Sequence, residues 1–138
     1  MYICGRDRRY RVITVLQPRV VIEMSPTPDD LITAAVLINM YSIHFMEVDG
    51  RVENNLSILN LSQMSLFGLP YSMMKTVMGT TQGQFKGRAR TIFQLSAPRS
   101  ISMVWNTVKY FMDELTSKKV VIYSSPTCQE LFDLAHPS

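Results

Sequence analysis

Chemistry-bearing residues are scarce in this chain. It holds two histidines, His44 and His136, two cysteines, Cys4 and Cys128, and one tryptophan. His44 sits in an apolar helical run, where packing is expected rather than catalysis. His136 stands beside Pro137 at the chain end, where termini fray. Neither has metal-ligand spacing to a cysteine or a second histidine, so no metal is expected. The cysteines lie near opposite ends with no C-x-x-C pair, which excludes a disulfide framework and fits reduced thiols. There is no G-x-S-x-G, no P-loop and no G-x-G-x-x-G, and no cofactor is expected. Cys128 alone invites thiol chemistry, because it falls between a strand and a helix whose amides can lower a thiol pKa. Its setting, S-S-P-T-C-Q-E, supplies neither glycine nor arginine for an anion-binding loop, so a structural role is expected. The chain reads as a non-enzymatic protein.

Long apolar runs and one sign of charge are missing too. No stretch approaches the ~20 apolar residues that cross a bilayer. The opening M-Y-I-C-G-R-D-R-R brings charge before any apolar run, unlike a secretory signal. The expected location is cytoplasmic, with peripheral and transient membrane contact. Between Asn54 and Met112 there is no Asp or Glu, while Lys75, Lys86, Arg88, Arg90, Arg99 and Lys109 fall there. That segment should attract an anionic partner, either a phospholipid surface or nucleic acid, unless it is a plain solvated face. The single Trp and the lack of a glycine-aromatic motif of an RNA-binding sheet count against nucleic acid.

What remains suits one globular domain over 1–138, with 46% apolar residues and no internal repeat. Y-R-V-I-T-V-L (10–16) is β-branched and reads as a strand buried on both faces and closed by Pro18. R-V-V-I-E-M (19–24) reads as a second strand or its continuation. S-P-T-P-D-D then starts a helix, with Thr27 as N-cap, Pro28 in the first turn and Asp29 and Asp30 at the positive end of the dipole. Residues 54–61 alternate as a strand, Pro70 opens a helix to about Gln82, and 90–96 reads as a strand stopped by Ala97-Pro98. The clearest helix covers about 100–115. Ile101, Val104, Trp105, Val108, Phe111, Met112 and Leu115 fall at helical spacing, with Ser100 as N-cap. A strand at 119–124 and a short final helix follow. Alternation of this kind predicts an α/β fold, a mostly parallel β-sheet floor covered by helices. Ten methionines, several in the middle and later helices, suit a surface that must fit a mobile acyl chain or fill a core.

Residues 91–123 resemble the most recognisable stretch of CRAL-TRIO domains. A strand ending like N-A-P is matched by Ser96-Ala97-Pro98. A helix carrying W-x-x-V-K-P-F-L-D-E is matched by Trp105 and by Val108 to Glu114, and a T-x-x-K-I turn by Thr116 to Val120. G-R-D-R-R-Y-R-V-I (5–13) is similar to the family's G-x-D-x-x-G-R-P-V, with Tyr10 for Gly and Val12 for Pro. L-N-L-S-Q-M-S (59–65) is similar to D-L-x-G-L-S, with Asn60 for Asp and Gln63 for Gly. The end, E-L-F-D-L-A-H-P-S, is similar to the segment before the family's Gly-Gly stretch. A helical N-terminal subdomain and the closing Gly-rich region have no counterpart in these residues, which implies a shortened member.

The resemblance implies a module that holds one hydrophobic ligand, such as phosphatidylinositol or phosphatidylcholine, between the sheet and a gate helix at about 100–115. Ile101, Val104, Trp105, Val108, Phe111 and Met112 would line the gate. Lys109 would meet a headgroup phosphate as a point charge, and Asn55 and Ser57, on one strand face, a phosphatidylcholine headgroup. The acidic partner of that lysine in phosphoinositide-binding relatives has no counterpart in Met73 to Thr81. The implied function is binding and intermembrane transfer of a phospholipid, with a lipid ligand and an anionic membrane surface as partners. The alternative is a protein-interaction or regulatory module with a degenerate pocket.

Overall fold

The computed structural model describes residues 1–64 and 70–135. The expectations at Ser65 and at 136–138 lie outside the described residues. Five strands form one sheet in the order β1 (Tyr2–Arg6), β2 (Val12–Leu16), β3 (Asn55–Asn60), β4 (Ala89–Leu95) and β5 (Val120–Ile122). β1 pairs antiparallel with β2, and the rest of the sheet is parallel. The expected α/β architecture with a mostly parallel floor is present.

From β2 to β5 each crossover advances one strand in the same direction. Right-handed crossovers therefore put the connecting helices on one face of the sheet. These are α1 (Pro18–Met24), α2 (Pro28–Tyr41), α3 (Tyr71–Gln84), α4 (Ile101–Val108) and α5 (Glu114–Ser117). α2 lies beside α3, and α3 beside the turn that follows α4. The opposite face carries the main core. Ile13, Leu56, Phe93 and Leu95 share it by the period of two, and Cys128 joins them. The last helix, α6 (Gln129–Ala135), covers that face with Leu131, Leu134 and Ala135. β2 is buried on both faces as expected, by Val12 on one side and Ile13 and Val15 on the other.

Three departures from the expected elements have local causes. The strand expected at 19–24 is instead helix α1. Pro18, read as the stop of a strand, sits in the first helical turn, where its missing N–H costs nothing. β1 was not foreseen, because Y-I-C-G-R offers neither alternation nor a β-branched run. The helix expected over 100–115 is broken. It ends at Val108, tightens into a 3-10 turn at Lys109–Phe111, and reaches extended backbone at Met112. Asp113 then caps the new helix α5 by accepting from the Thr116 amide. A carboxylate N-cap inside an amphipathic stripe restarts the helix instead of continuing it.

Ser100 precedes α4 as expected but makes no side-chain capping bond, whereas Thr27 caps α2 as read. Thr27 accepts from the Asp30 amide at 3.2 Å and Asp30 returns a bond to the Thr27 amide at 2.9 Å, a reciprocal capping box. α2 runs on into a π-type turn at Ser42–Met46 before Asp49-Gly50. His44 falls in that turn and is exposed against the edge of Phe45, not packed in a core.

The backbone explains the places where this sequence departs from its look-alikes. Tyr10 and Gln63 stand where glycine was expected, and their φ values are 63° and 56°. Ser96, in place of Asn, has φ 55°. All three lie in the left-handed region, which glycine and asparagine tolerate best. Asn60 accepts from the Ser62 amide at 3.0 Å and so closes the turn after β3. Since the Tyr10 side chain is 70% exposed and little is lost by removing it, Tyr10→Gly is expected to stabilise the protein. The gain from relieved strain, less the extra freedom of the unfolded glycine, is about 0.5–1 kcal/mol. Denaturant unfolding should show a raised midpoint with unchanged slope.

Candidate functional site

The face of the sheet under α2 to α4 is only partly filled. Thr14, Leu16, Ser57, Leu59 and Ile92 point toward it and are all half-buried. Thr14 and Ser57 face each other across the β2–β3 ladder with hydroxyls 3.2 Å apart. Asn55 precedes them on the same face. It is buried, and its amide oxygen has no hydrogen-bond partner.

Of the helices above, α2 is apolar on several sides, and α3 carries a half-buried apolar stripe, Met73, Met74, Val77 and Met78. No residue of α2, P-D-D-L-I-T-A-A-V-L-I-N-M-Y, is buried, and none of α3 is. Leu37, Met40 and Tyr41 of α2 are exposed. A helix hydrophobic on several sides is expected inside a core or against another apolar body. α4 has the opposite character, with a clean division of faces. Ile101, Val104 and Trp105 are half-buried and Val108 is buried, while Ser102, Met103, Asn106 and Thr107 are exposed. Met103 is 76% and Tyr110 83% exposed, so the outer side of this helix-and-turn segment carries two large apolar groups. Lys109 lies between them in chain order, exposed in the 3-10 turn.

The expected site residues therefore fall into two groups. The stripe Ile101, Val104, Trp105 and Val108 is on one side of α4, and Phe111 and Met112 continue it, half-buried, beyond the helix end. Asn55 and Ser57 are together on the sheet. Lys109 belongs to the helix segment, and no bond joins it to the strand pair among the described residues.

Sequence reasoning missed what fastens that segment. Gln82, near the end of α3, accepts from the Asp113 amide at 2.8 Å and reaches the Phe111 carbonyl at 3.5 Å. One side-chain amide thus spans the break between the 3-10 turn and α5. Lys75, also on α3, places its ammonium 5.9 Å from the centre of the Phe111 ring, within cation–π range. No sequence signal marks either contact, because the partners are about thirty residues apart. Asp113 completes the latch. Hydrogen bonds from the Thr116 hydroxyl, then from the Thr116 amide, hold its carboxyl below the ordinary value of 3.8.

A five-stranded, mostly parallel sheet with its crossover helices gathered on one side defines an α/β class of domain. The model of the CRAL/TRIO domain family matches residues 1–138, so the chain belongs to that family. Its members bind and transfer lipids and are generally not enzymes. The crystal structure of Sfh5 has the same fold, with a TM-score of 0.60 at 16% identity over 88% of this chain. The matched part is 46% of Sfh5, so this chain spans about half the length of that relative. No curated protein matches. No described helix is long and apolar enough to cross a membrane, and the described residues contain no cluster suited to a metal.

Two measurements check the latch. Gln82→Ala should raise amide exchange at Phe111 to Asp113 while leaving β3 and β4 unchanged. A depressed carboxyl pKa stabilises the fold above its unfolded value, and that contribution is lost as pH falls through the folded value. Acidification below about pH 4 should thus loosen Glu114–Ser117, seen in NMR shifts, and Asp113→Asn should remove the pH dependence while keeping the cap.

Proposed function

We propose that this domain binds one phospholipid, without catalysing a reaction, and carries it between membranes. The ligand would lie between the half-filled face of the sheet and the helices α2 to α4. The observation that carries this reading is the apolar, incompletely buried α2, beside the half-buried methionine stripe of α3, set over strand residues that are themselves half-buried. An acyl chain supplies the missing apolar contact at about 25 cal/mol per Å² of surface removed from water.

The gate is α4 with its 3-10 turn. Its inner stripe would meet acyl chain, and Met103 and Tyr110 outside would meet a bilayer. Lys109 between them favours anionic membranes and can approach a headgroup phosphate. Asn55 and Ser57 are headgroup contacts from the floor, and the unpartnered Asn55 oxygen is an acceptor awaiting a donor. The setting is the cytoplasm, with transient attachment to membranes.

Native mass spectrometry with lipid extraction tests the proposal. One phospholipid should leave with the protein from a lipid-rich host, and transfer between vesicles should rise with anionic content. Lys109→Glu should lower uptake of anionic lipid about ten-fold, the worth of one charge-assisted hydrogen bond. Protein that emerges free of lipid and takes up none ends the proposal, and unchanged binding in Lys109→Glu removes that residue from the site.

A further inference from the structure

A separate cleft lies on the other side of the sheet. At the amino ends of β2, β3 and β4 there is a cleft of about 270 Å³ lined by Arg9, Arg11, Arg51, Val52, Asn54 and Arg90. Arg11 and Asn54 each stand two residues before Ile13 and Leu56. They therefore share the face of the α6-covered core, opposite Asn55 and Ser57. Four guanidinium groups line this cleft, and no carboxylate does.

Three separate pieces of backbone bring the lining groups there. Asp7 folds the β1–β2 turn by accepting from the Arg9 and Arg11 amides at 2.9 and 2.8 Å and from Arg11 Nε at 2.7 Å. The turn at Val48–Val52, closed by the Val52 amide on the Val48 carbonyl, presents Arg51. The β3–β4 ladder pairs Asn55 with Ala89 and then Leu56 with Thr91, so Arg90 is skipped. A residue left out of the ladder is a bulge, and bulges re-aim side chains. Asn54 completes the lining.

The charges in the cleft are not balanced by the protein. Asp7 neutralises Arg11, whose Nη2 is 2.5 Å from its Oδ2. Arg88, close by in sequence, is held elsewhere by Glu47 at 2.5 Å. Glu53 is occupied in part by the Gly50 amide. No carboxylate pairs with Arg9, Arg51 or Arg90 among the described residues. Arg11, 7% exposed, is satisfied by Asp7, whereas the buried side-chain oxygen of Asn54 has no hydrogen-bond partner. Buried polar atoms without partners are rare and point to a missing ligand. Rotation of the Asn54 amide would offer its NH2 to an anion.

We infer that this cleft binds a phosphomonoester, separately from the acyl-chain space on the opposite face. Three unpaired guanidinium groups carry the planar donor forks that fit phosphate oxygens two at a time. A phosphomonoester, with about two negative charges at neutral pH, matches this better than a phosphodiester with one. Val52 is the sole apolar lining residue, so the cleft takes the charged group and not an acyl chain. The ligand reaches it either as a membrane headgroup or as a free polyol phosphate.

The test compares the unaltered protein with Arg51→Ala, Arg90→Ala and a control, Arg99→Ala. Arg51 and Arg90 are exposed, and neither is part of the Asp7 network that folds the turn. Arg99 is an exposed arginine beyond the carboxyl end of β4. Two probes are used: inositol trisphosphate by calorimetry, and phosphatidylcholine vesicles with or without phosphatidic acid by co-sedimentation. The expected result is binding of at least one probe, weakened about ten-fold by Arg51→Ala and by Arg90→Ala and unchanged by Arg99→Ala. Binding of the soluble probe alone identifies a free phosphate ligand, and phosphatidic-acid-dependent sedimentation identifies a headgroup. Phosphatidylcholine loading, read by native mass spectrometry, should be the same in all four proteins, which separates this site from the acyl-chain space. Failure of both probes, or equal weakening by Arg99→Ala, overturns the inference.

Discussion

The direction in which the strands advance governs everything else in this domain. β2 to β5 step across the sheet one neighbour at a time, without reversal. With right-handed crossovers, every connecting helix then falls on one face. The other face is left to α6, which covers it with Leu131 and Leu134 over Phe93 and Leu56. One side of the sheet becomes an ordinary core, and the other lies half-buried beneath the crossover helices. A sheet whose strand order reversed midway would share its helices between both faces and leave neither half-filled.

The same constraint shapes how the helical side can move. Helices that pack on each other and on a half-filled floor are held by fewer buried groups than the core opposite. α4 is tied at its far end by one amide, Gln82, and by the Asp113 cap, both at the break in the helix. A continuous helix to residue 115 would have to move as one rod. A helix that stops at Val108 is separated from α5 by the 3-10 turn and the extended residue Met112, so the two segments are not one rod. The break comes from Asp113 restarting a helix within the apolar stripe, and it would suit α4 to the gate role proposed above.

Much of this was legible in the sequence, and what was not has physical reasons. Alternating β-branched and amphipathic runs gave the order of the main elements and the parallel sheet. Thr27 and Asp30 announced a helix start because their contacts are local. The V-V-I of α1 misled because β-branched residues favour strands only weakly, and Pro18 in a first turn outweighed them. β1 was missed because a short antiparallel edge strand needs only a neighbour to pair with. The apolar stripe of α4 was readable from spacing, whereas Gln82 and Lys75 depend on tertiary contacts that spacing does not encode. The arginine cleft was the least legible feature, since its members come from residues 9 to 90 and share no motif.

That cleft also makes sense of a feature that stability alone does not favour. Like charges brought together cost free energy, and the cost grows where side chains are partly shielded from water. Asp7 offsets it for Arg11 only. Its network serves the β1–β2 turn as well, since the turn contains Tyr10 in a left-handed conformation that three bonds to one buried carboxylate help to hold. Arg9, Arg51 and Arg90 receive no such compensation from a carboxylate in the described structure. Lysine or glutamine at these exposed positions would solvate equally well, without rigid forks facing one space. An anion that binds the folded domain would remove the repulsion and add its binding free energy to stability. Charge crowding of this kind is a cost when the site is empty and a source of affinity when it is filled.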